Sequence, residues 1–259
     1  MISKTLRIAP MIVLASFALS SAAWATCSNA SVSGTYGFLG GGTDTSGNPT
    51  TYVGQVTVDS TTAKFTGTET ISDEGAIIPD EPITGTYAVA SNCTGTGTVT
   101  AGSGKAHNIY FVVTSAGLKE VYGGTGATQA ESVVAQGSPT CTNAGVQGNF
   151  GFQATGVFLA GAPATGAVAF VGELELRVNA GEEVIAGEVA GSEDGTIFPF
   201  TKAPVTGSYS VNADCTGTAT ITPKGQSPLN FSFVVVDGGK EMLAIETDAD
   251  TVVSGTLQR

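Results

Sequence analysis

The sequence is short of the side chains that most enzyme chemistry needs. Only 12% of its residues are charged, and it has one histidine, His107, and one tryptophan, Trp24. A single histidine offers no zinc-type cluster. It also leaves a Ser-His-Asp relay resting on one residue of an expected turn, with Leu229 at the matching place in the second half. The Gly40-Gly41-Gly42 run lacks the lysine and the following helix of a phosphate loop, so it reads as a flexible turn. Beyond the first 25 residues no apolar run is long enough for a membrane helix. No basic stripe offsets the 22 acidic residues, a balance that repels nucleic acid and anionic lipid and keeps an exported protein soluble.

The N-terminus has the form of a signal peptide. Lys4 and Arg7 give a positive start, an apolar run follows from Met11 to Ala18, and Ala23-Trp24-Ala25 puts small residues at both recognition positions. Residues 1–25 are therefore expected to be removed after Ala25, placing the protein in the periplasm or outside the cell. With Lys4 and Arg7 gone, 8 basic residues face 22 acidic ones, a net charge of −14. Trp24, Ala25 and Thr26 do not suit Cys27 as a lipidation site.

The rest matches itself. Val32–Phe38 aligns with Val146–Phe152, Tyr52–Val56 with Phe170–Leu174, Phe65–Gly67 with Ile185–Gly187, and Ile83–Tyr87 with Val205–Tyr209. Cys93–Thr96 then aligns with Cys215–Thr218, Phe111–Val113 with Phe233–Val235, and Val133-Val134 with Val252-Val253. The spacing changes only between blocks. Loops absorb insertions, whereas a one-residue slip in a strand turns every side chain to the wrong face, so the blocks read as strands. Val32, Gly34, Tyr36 and Phe38 alternate with Ser33, Thr35 and Gly37, as in an antiparallel strand with one buried face.

These patterns predict an all-β chain of two tandem antiparallel domains, 26–138 and 141–259, each folding by itself. Eight strands per domain begin near Ser33, Thr51, Ala63, Pro82, Thr94, His107, Leu118 and Glu131 in the first copy. Short turns favour an eight-stranded up-and-down barrel, with a β-sandwich as the alternative. Each copy has one cysteine before its first strand and one at its fifth. Pairing Cys27 with Cys93 and Cys141 with Cys215 would staple each domain, worth about 4 kcal/mol by chain entropy; the other two pairings stay open.

Gly85-Thr86-Tyr87 leading to Cys93-Thr94-Gly95-Thr96, with its copy Gly207-Ser208-Tyr209 leading to Cys215-Thr216-Gly217-Thr218, resembles a group of secreted bacterial tandem-repeat β proteins that carry no activity to transfer. The strand order is more distantly similar to the calycin barrels, which include lipocalins and avidins. Ala63–Thr68 is similar to an early avidin strand. Avidin pockets rely on tryptophans, and Trp24 lies in the leader, so biotin binding is not implied. No cofactor is expected.

Candidate sites are few. In the first copy Tyr36, Phe38, Tyr87 and Phe111 share the apolar faces; in the second, Phe150, Phe152, Tyr209 and Phe233 do. They suit a packed core, or the wall of a cavity to which Gly34, Gly54 and Gly85 lend space. Asp73-Glu74 and Glu193-Asp194 occupy the same turn in both copies and are weak calcium candidates, with Asp248 and Asp250 an unrepeated pair. Lys119-Glu120 and Lys240-Glu241 also recur; neighbouring strand residues point to opposite faces, so one member of each pair could enter a barrel, but both pairs are expected at strand ends in water. Three functions fit: a non-catalytic structural or interaction protein of the cell exterior that meets another surface protein, a carrier or sensor of a small apolar ligand, and an enzyme using carboxylates or tyrosines.

Overall fold

The computed structural model describes residues 26–259 apart from 103, 124–126, 139, 163–164, 180 and 199–204. The leader and Pro139, part of the expected join between domains, lie outside the described residues. All regular structure is β-strand and short 3-10 turn, in two closed barrels.

The first barrel runs β1 (Gly34–Thr43), β2 (Pro49–Asp59), β3 (Lys64–Asp73), β4 (Ala76–Val89), β5 (Thr94–Ala101), β6 (His107–Thr114), β7 (Gly117–Gly123) and β8 (Thr128–Ala135). Each strand pairs antiparallel with the next, and β8 returns to β1 from Tyr36↔Ala135 to Thr43↔Thr128. Closure leaves no free edge. Strand β4 starts six residues before the expected Pro82. A register shift between Glu69 and Ile71, with Asp80 at φ 52°, absorbs the Pro79–Pro82 stretch as a bulge. Gly40-Gly41-Gly42 is not a turn but the end of β1, and His107 opens β6 rather than sitting in a turn.

The second barrel uses β9 (Gly148–Phe158), β10 (Gly166–Asn179), β11 (Glu182–Glu193), β12 (Thr196–Phe198), β13 (Val205–Val211), β14 (Thr216–Thr222), β15 (Leu229–Val236), β16 (Glu241–Glu246) and β17 (Thr251–Gln258). Here β12 pairs with the far end of β11 and β13 with its near end, two tasks that β4 performs alone in the first barrel.

A 3-10 turn closes one end of each barrel: Asn29–Val32 in the first and Asn143–Val146 in the second. Both turns are tied down alike. The Val89 N–H donates to Asn29 Oδ1 at 2.8 Å and the Tyr87 hydroxyl to the Asn29 carbonyl at 3.3 Å. The Val211 N–H donates to Asn143 Oδ1 at 2.7 Å and the Tyr209 hydroxyl to the Asn143 carbonyl at 3.0 Å. Disulfides join Cys27 to Cys93 and Cys141 to Cys215 beside these turns. Two disulfides mark an oxidising, extracytoplasmic compartment. No helix among the described residues is long and apolar enough to cross a membrane.

The barrels meet side by side. Strands β15 and β16 are buried on both faces: Phe233, Val235, Met242 and Ala244 enter the second core, while Val234, Val236, Leu243 and Ile245 pack on Leu39, Val53 and Val134 of the first barrel. Gly37 makes this approach possible, because a Cβ there would stand 2.5 Å from Val236 Cγ1. The Asp250 N–H donates to the Gly75 carbonyl at 3.0 Å, and the Gly238 N–H to the Gln136 carbonyl at 2.9 Å.

Candidate functional site

The interior of the first barrel contains a cavity of about 400 Å³. Its wall follows from strand alternation: Phe38 on β1, Val56 and Val58 on β2, Phe65 on β3, Ile83 and Tyr87 on β4, Ile109 and Phe111 on β6, Leu118 on β7 and Val133 on β8. Val32 of the 3-10 turn also lines it, as do the polar Asp44, Thr45, Thr50, Asp73, His107 and Gln129.

Besides Asp44 and Asp73, three glutamates stand on this wall: Glu69 on β3, Glu120 on β7 and Glu131 on β8. Glu120 and Glu131 face each other directly across the β7–β8 ladder. Gly40 lies between Glu131 and Tyr52, paired with both. Lacking a side chain, it lets the Tyr52 ring lie over its Cα, and the Tyr52 hydroxyl donates to the Glu131 carboxylate. Glu69 is 9% exposed, Glu120 and Glu131 are half-buried, and Asp73 Oδ1 on the same wall is buried without a partner.

Burial in this wall favours the neutral acids. It pushes Glu69 up to about 7, with Glu81 adding to the rise, and Glu120 also up to about 7. Glu131 is held well above the usual carboxylate range by burial and then by the charges of Glu120 and Glu69, against which the Tyr52 hydrogen bond pulls. The same burial and acids raise the Tyr52 phenol. Burial raises Asp73 too, helped by Asp44 and Glu74. Among the described residues the wall has no lysine or arginine, and His107 is its basic side chain.

Of the aromatics singled out in the sequence, Phe38, Tyr87 and Phe111 lie on the cavity wall, and Tyr36 is packed in the same core. Phe150, Tyr209 and Phe233 belong to the second core, with Phe152 packed against it. The space expected at glycine is taken up by neighbouring rings: the Phe38 ring lies against Gly54 and the Phe65 ring against Gly85. The cavity is therefore not a product of those glycines. Asp73 lines the cavity, whereas Glu74 sits in the turn at φ 52° and accepts from the Asn48 side chain. Glu193 ends β11 with Oε1 buried and without a partner, and Asp194 follows at φ 43°. Asp248 accepts from the Asn230 N–H and Nδ2 at 2.8 and 2.7 Å. Among the described residues no three His, Cys, Asp or Glu side chains are placed to share a metal ion.

Two alignments need correction. The turn between β15 and β16 is two residues longer than that between β6 and β7: Thr114 pairs with Gly117, but Val236 with Glu241. Glu120 therefore corresponds to Ala244, not Glu241, and enters the barrel instead of standing in water; Lys119 remains outside, its ammonium donating to Ser132 at 2.8 Å. Downstream, Val133 corresponds to Leu257, not Val252: Phe38 pairs with Val133 as Phe152 pairs with Leu257. The acid cluster was missed for this reason, and because charged residues on a buried face run against the alternation rule. Asn29 and Asn143 had a signal in sequence, Ser28–Val32 beside Thr142–Val146.

No family model matches the chain, and no curated protein matches it in sequence. Solved structures similar to it include kievitone hydratase from Nectria haematococca, with a TM-score of 0.27, 5% identity, and 92% of this chain and 94% of that one covered. Another is a protein of Nitrosomonas europaea described as AttH, with a TM-score of 0.24, 9% identity, and 86% and 92% covered.

Proposed function

We propose that the protein is an exported binding protein whose first barrel holds a small molecule with an apolar body and a polar head, the second barrel serving as its packed support. The observation that carries this reading is the cavity of about 400 Å³ with acids grouped on one part of an apolar wall. Ligand sites have this size and this mixture of much apolar surface with a few polar groups. A purely structural barrel gains nothing from buried carboxyls, each of which costs stability. Export by removal of residues 1–25 fits the disulfides, and 26–138 and 141–259 are the two working units.

The experiment is a fluorescence titration with the neutral probe 1-naphthylmethanol, on protein recovered from the exported fraction and shown by intact mass to begin at Thr26. One saturable site is expected, and it disappears in Val133→Phe, which fills the cavity while the variant keeps a cooperative melt. Absence of saturable binding to the native protein overturns the reading.

A second reading has its own observation. Two carboxyls near 7 beside a tyrosine that donates to a third acid are poised for proton transfer at neutral pH. Under it the cavity holds a substrate and Glu120 or Glu69 moves the proton.

A further inference from the structure

We propose that the ligand of the first barrel is a protonated amine, its ammonium group held by Glu69, Glu120 and Glu131 and its apolar body lying against Phe38, Phe111 and Leu118. This rests on the reading of the cavity as a binding site and adds the charge of what fills it.

The argument begins with an imbalance. Glu69, Glu120 and Glu131, from three different strands, line one cavity together with Asp44 and Asp73, and among the described residues its wall supplies no lysine or arginine, only His107, to answer them. Glu131 has the Tyr52 hydroxyl as a donor, but Asp73 Oδ1, on the same wall, is buried without a partner. A buried acid without a donor is costly, and such groups in native proteins call for an explanation. An ammonium group answers it, since it brings both the N–H donors and the positive charge that an acid-lined cavity lacks. The surrounding rings fit the same partner, because aromatic faces attract cations.

Proton linkage follows. The empty cavity keeps these acids largely protonated, whereas an ammonium group stabilises their ionised forms. Binding therefore expels protons, and affinity rises with pH through about 7 until the amine loses its own proton near 10. The ionisable groups that line the cavity or act on its acids are Tyr52 on β2, Glu69 and Asp73 on β3, Glu81 on β4, His107 on β6, Glu120 on β7 and Glu131 on β8, with Asp44 after β1.

The test uses three probes of one shape: 1-naphthylmethylamine, 1-naphthylmethanol and 1-naphthoate, titrated by calorimetry into the full-length exported protein at about pH 7, where Glu69 and Glu120 are still about half protonated. Two buffers of different ionisation enthalpy report proton release. The amine is expected to bind about tenfold or more tighter than the alcohol, the naphthoate to bind weakest, and protons to enter the buffer. Glu69→Gln should weaken the amine about tenfold and leave the alcohol within about twofold. Glu131→Gln, checked by near-ultraviolet circular dichroism, should do the same if Glu69→Gln fails to fold. An alcohol that binds as tightly as the amine, or a naphthoate that binds tightest, overturns the amine proposal and leaves the cavity a binding site. Failure of all three probes overturns the binding reading itself, and this proposal with it.

Discussion

The two barrels share their wall and differ in what fills it. Each has eight antiparallel strands, an asparagine-tied 3-10 turn at one end and a disulfide beside it. Strand register then equates Tyr52, Glu69, Glu120 and Glu131 of the first barrel with Phe170, Val189, Ala244 and Gly255 of the second. These four polar side chains of the first interior are replaced by apolar side chains or glycine in the second. Phe150, Leu174, Ile185 and Met242 are fully buried there, whereas the cavity-lining Val56, Val58 and Leu118 keep some accessible surface. The architecture therefore depends on the plugs, the staples and the ring-on-glycine contacts, and tolerates exchange of a whole interior layer.

The largest effect that could break this contrast is truncation of matched rings. Phe233→Ala should cost about 3–5 kcal/mol, because it opens a void in a packed core. Phe111→Ala should cost at least about 1 kcal/mol less, since the space it leaves joins a cavity that already exists. Urea denaturation of each variant measures both. Equal losses would mean that the two cores are equally filled.

A second contrast lies in pH. Glu69 titrates near 7 when folded and near 4.5 in the ordinary state. Between those values the unfolded chain has already lost its proton while the folded chain keeps it. Stability therefore falls as pH rises from about 4.5 to 7, by about 3 kcal/mol for this residue. Glu69→Gln should remove that slope. The second barrel has one counterpart, Glu246, 1% exposed and raised by burial and Asp248 to about 8. Glu246→Gln should flatten a decline that runs on to pH 8. Denaturant midpoints across pH 4–9 separate the two, and a slope unchanged in Glu69→Gln would place that acid in water.

The smallest test asks whether the shared features are equivalent. Asn29→Ala and Asn143→Ala each remove a side-chain acceptor from a backbone N–H, and each should cost about 1–2 kcal/mol. Thermal melts of the two variants should match. A loss confined to one would show that the plugs bear unequal loads.

Sequence alternation made the barrel wall legible, because Thr and Val with interleaved Gly at period two leave little choice of phase. The first-half strands were found close to their observed starts except β4, whose bulge hides its beginning among Pro79, Asp80 and Pro82. The interior acids were not legible. Glu69, Glu120 and Glu131 occupy inward positions, but a buried charge contradicts the pattern used to find such positions. The longer β15–β16 turn also displaced the comparison that would have set them beside Val189, Ala244 and Gly255. Only closure of the barrel brings three acids from three strands together, and no spacing along the chain reports that.

The side-by-side docking has a kinetic consequence. Strands β1–β3 are held from outside by β15–β17, while the outer face of β6 and β7 meets solvent at Tyr110, Val112 and Val121. The wall of the first barrel is thus divided into a clamped half and a free half. Tyr52 and Glu69 stand on the clamped half. Glu120 stands on the free half, where, under the proposed function, the widening that admits or releases a guest is expected. Residence time would then be set by the free wall, and recognition by the clamped one.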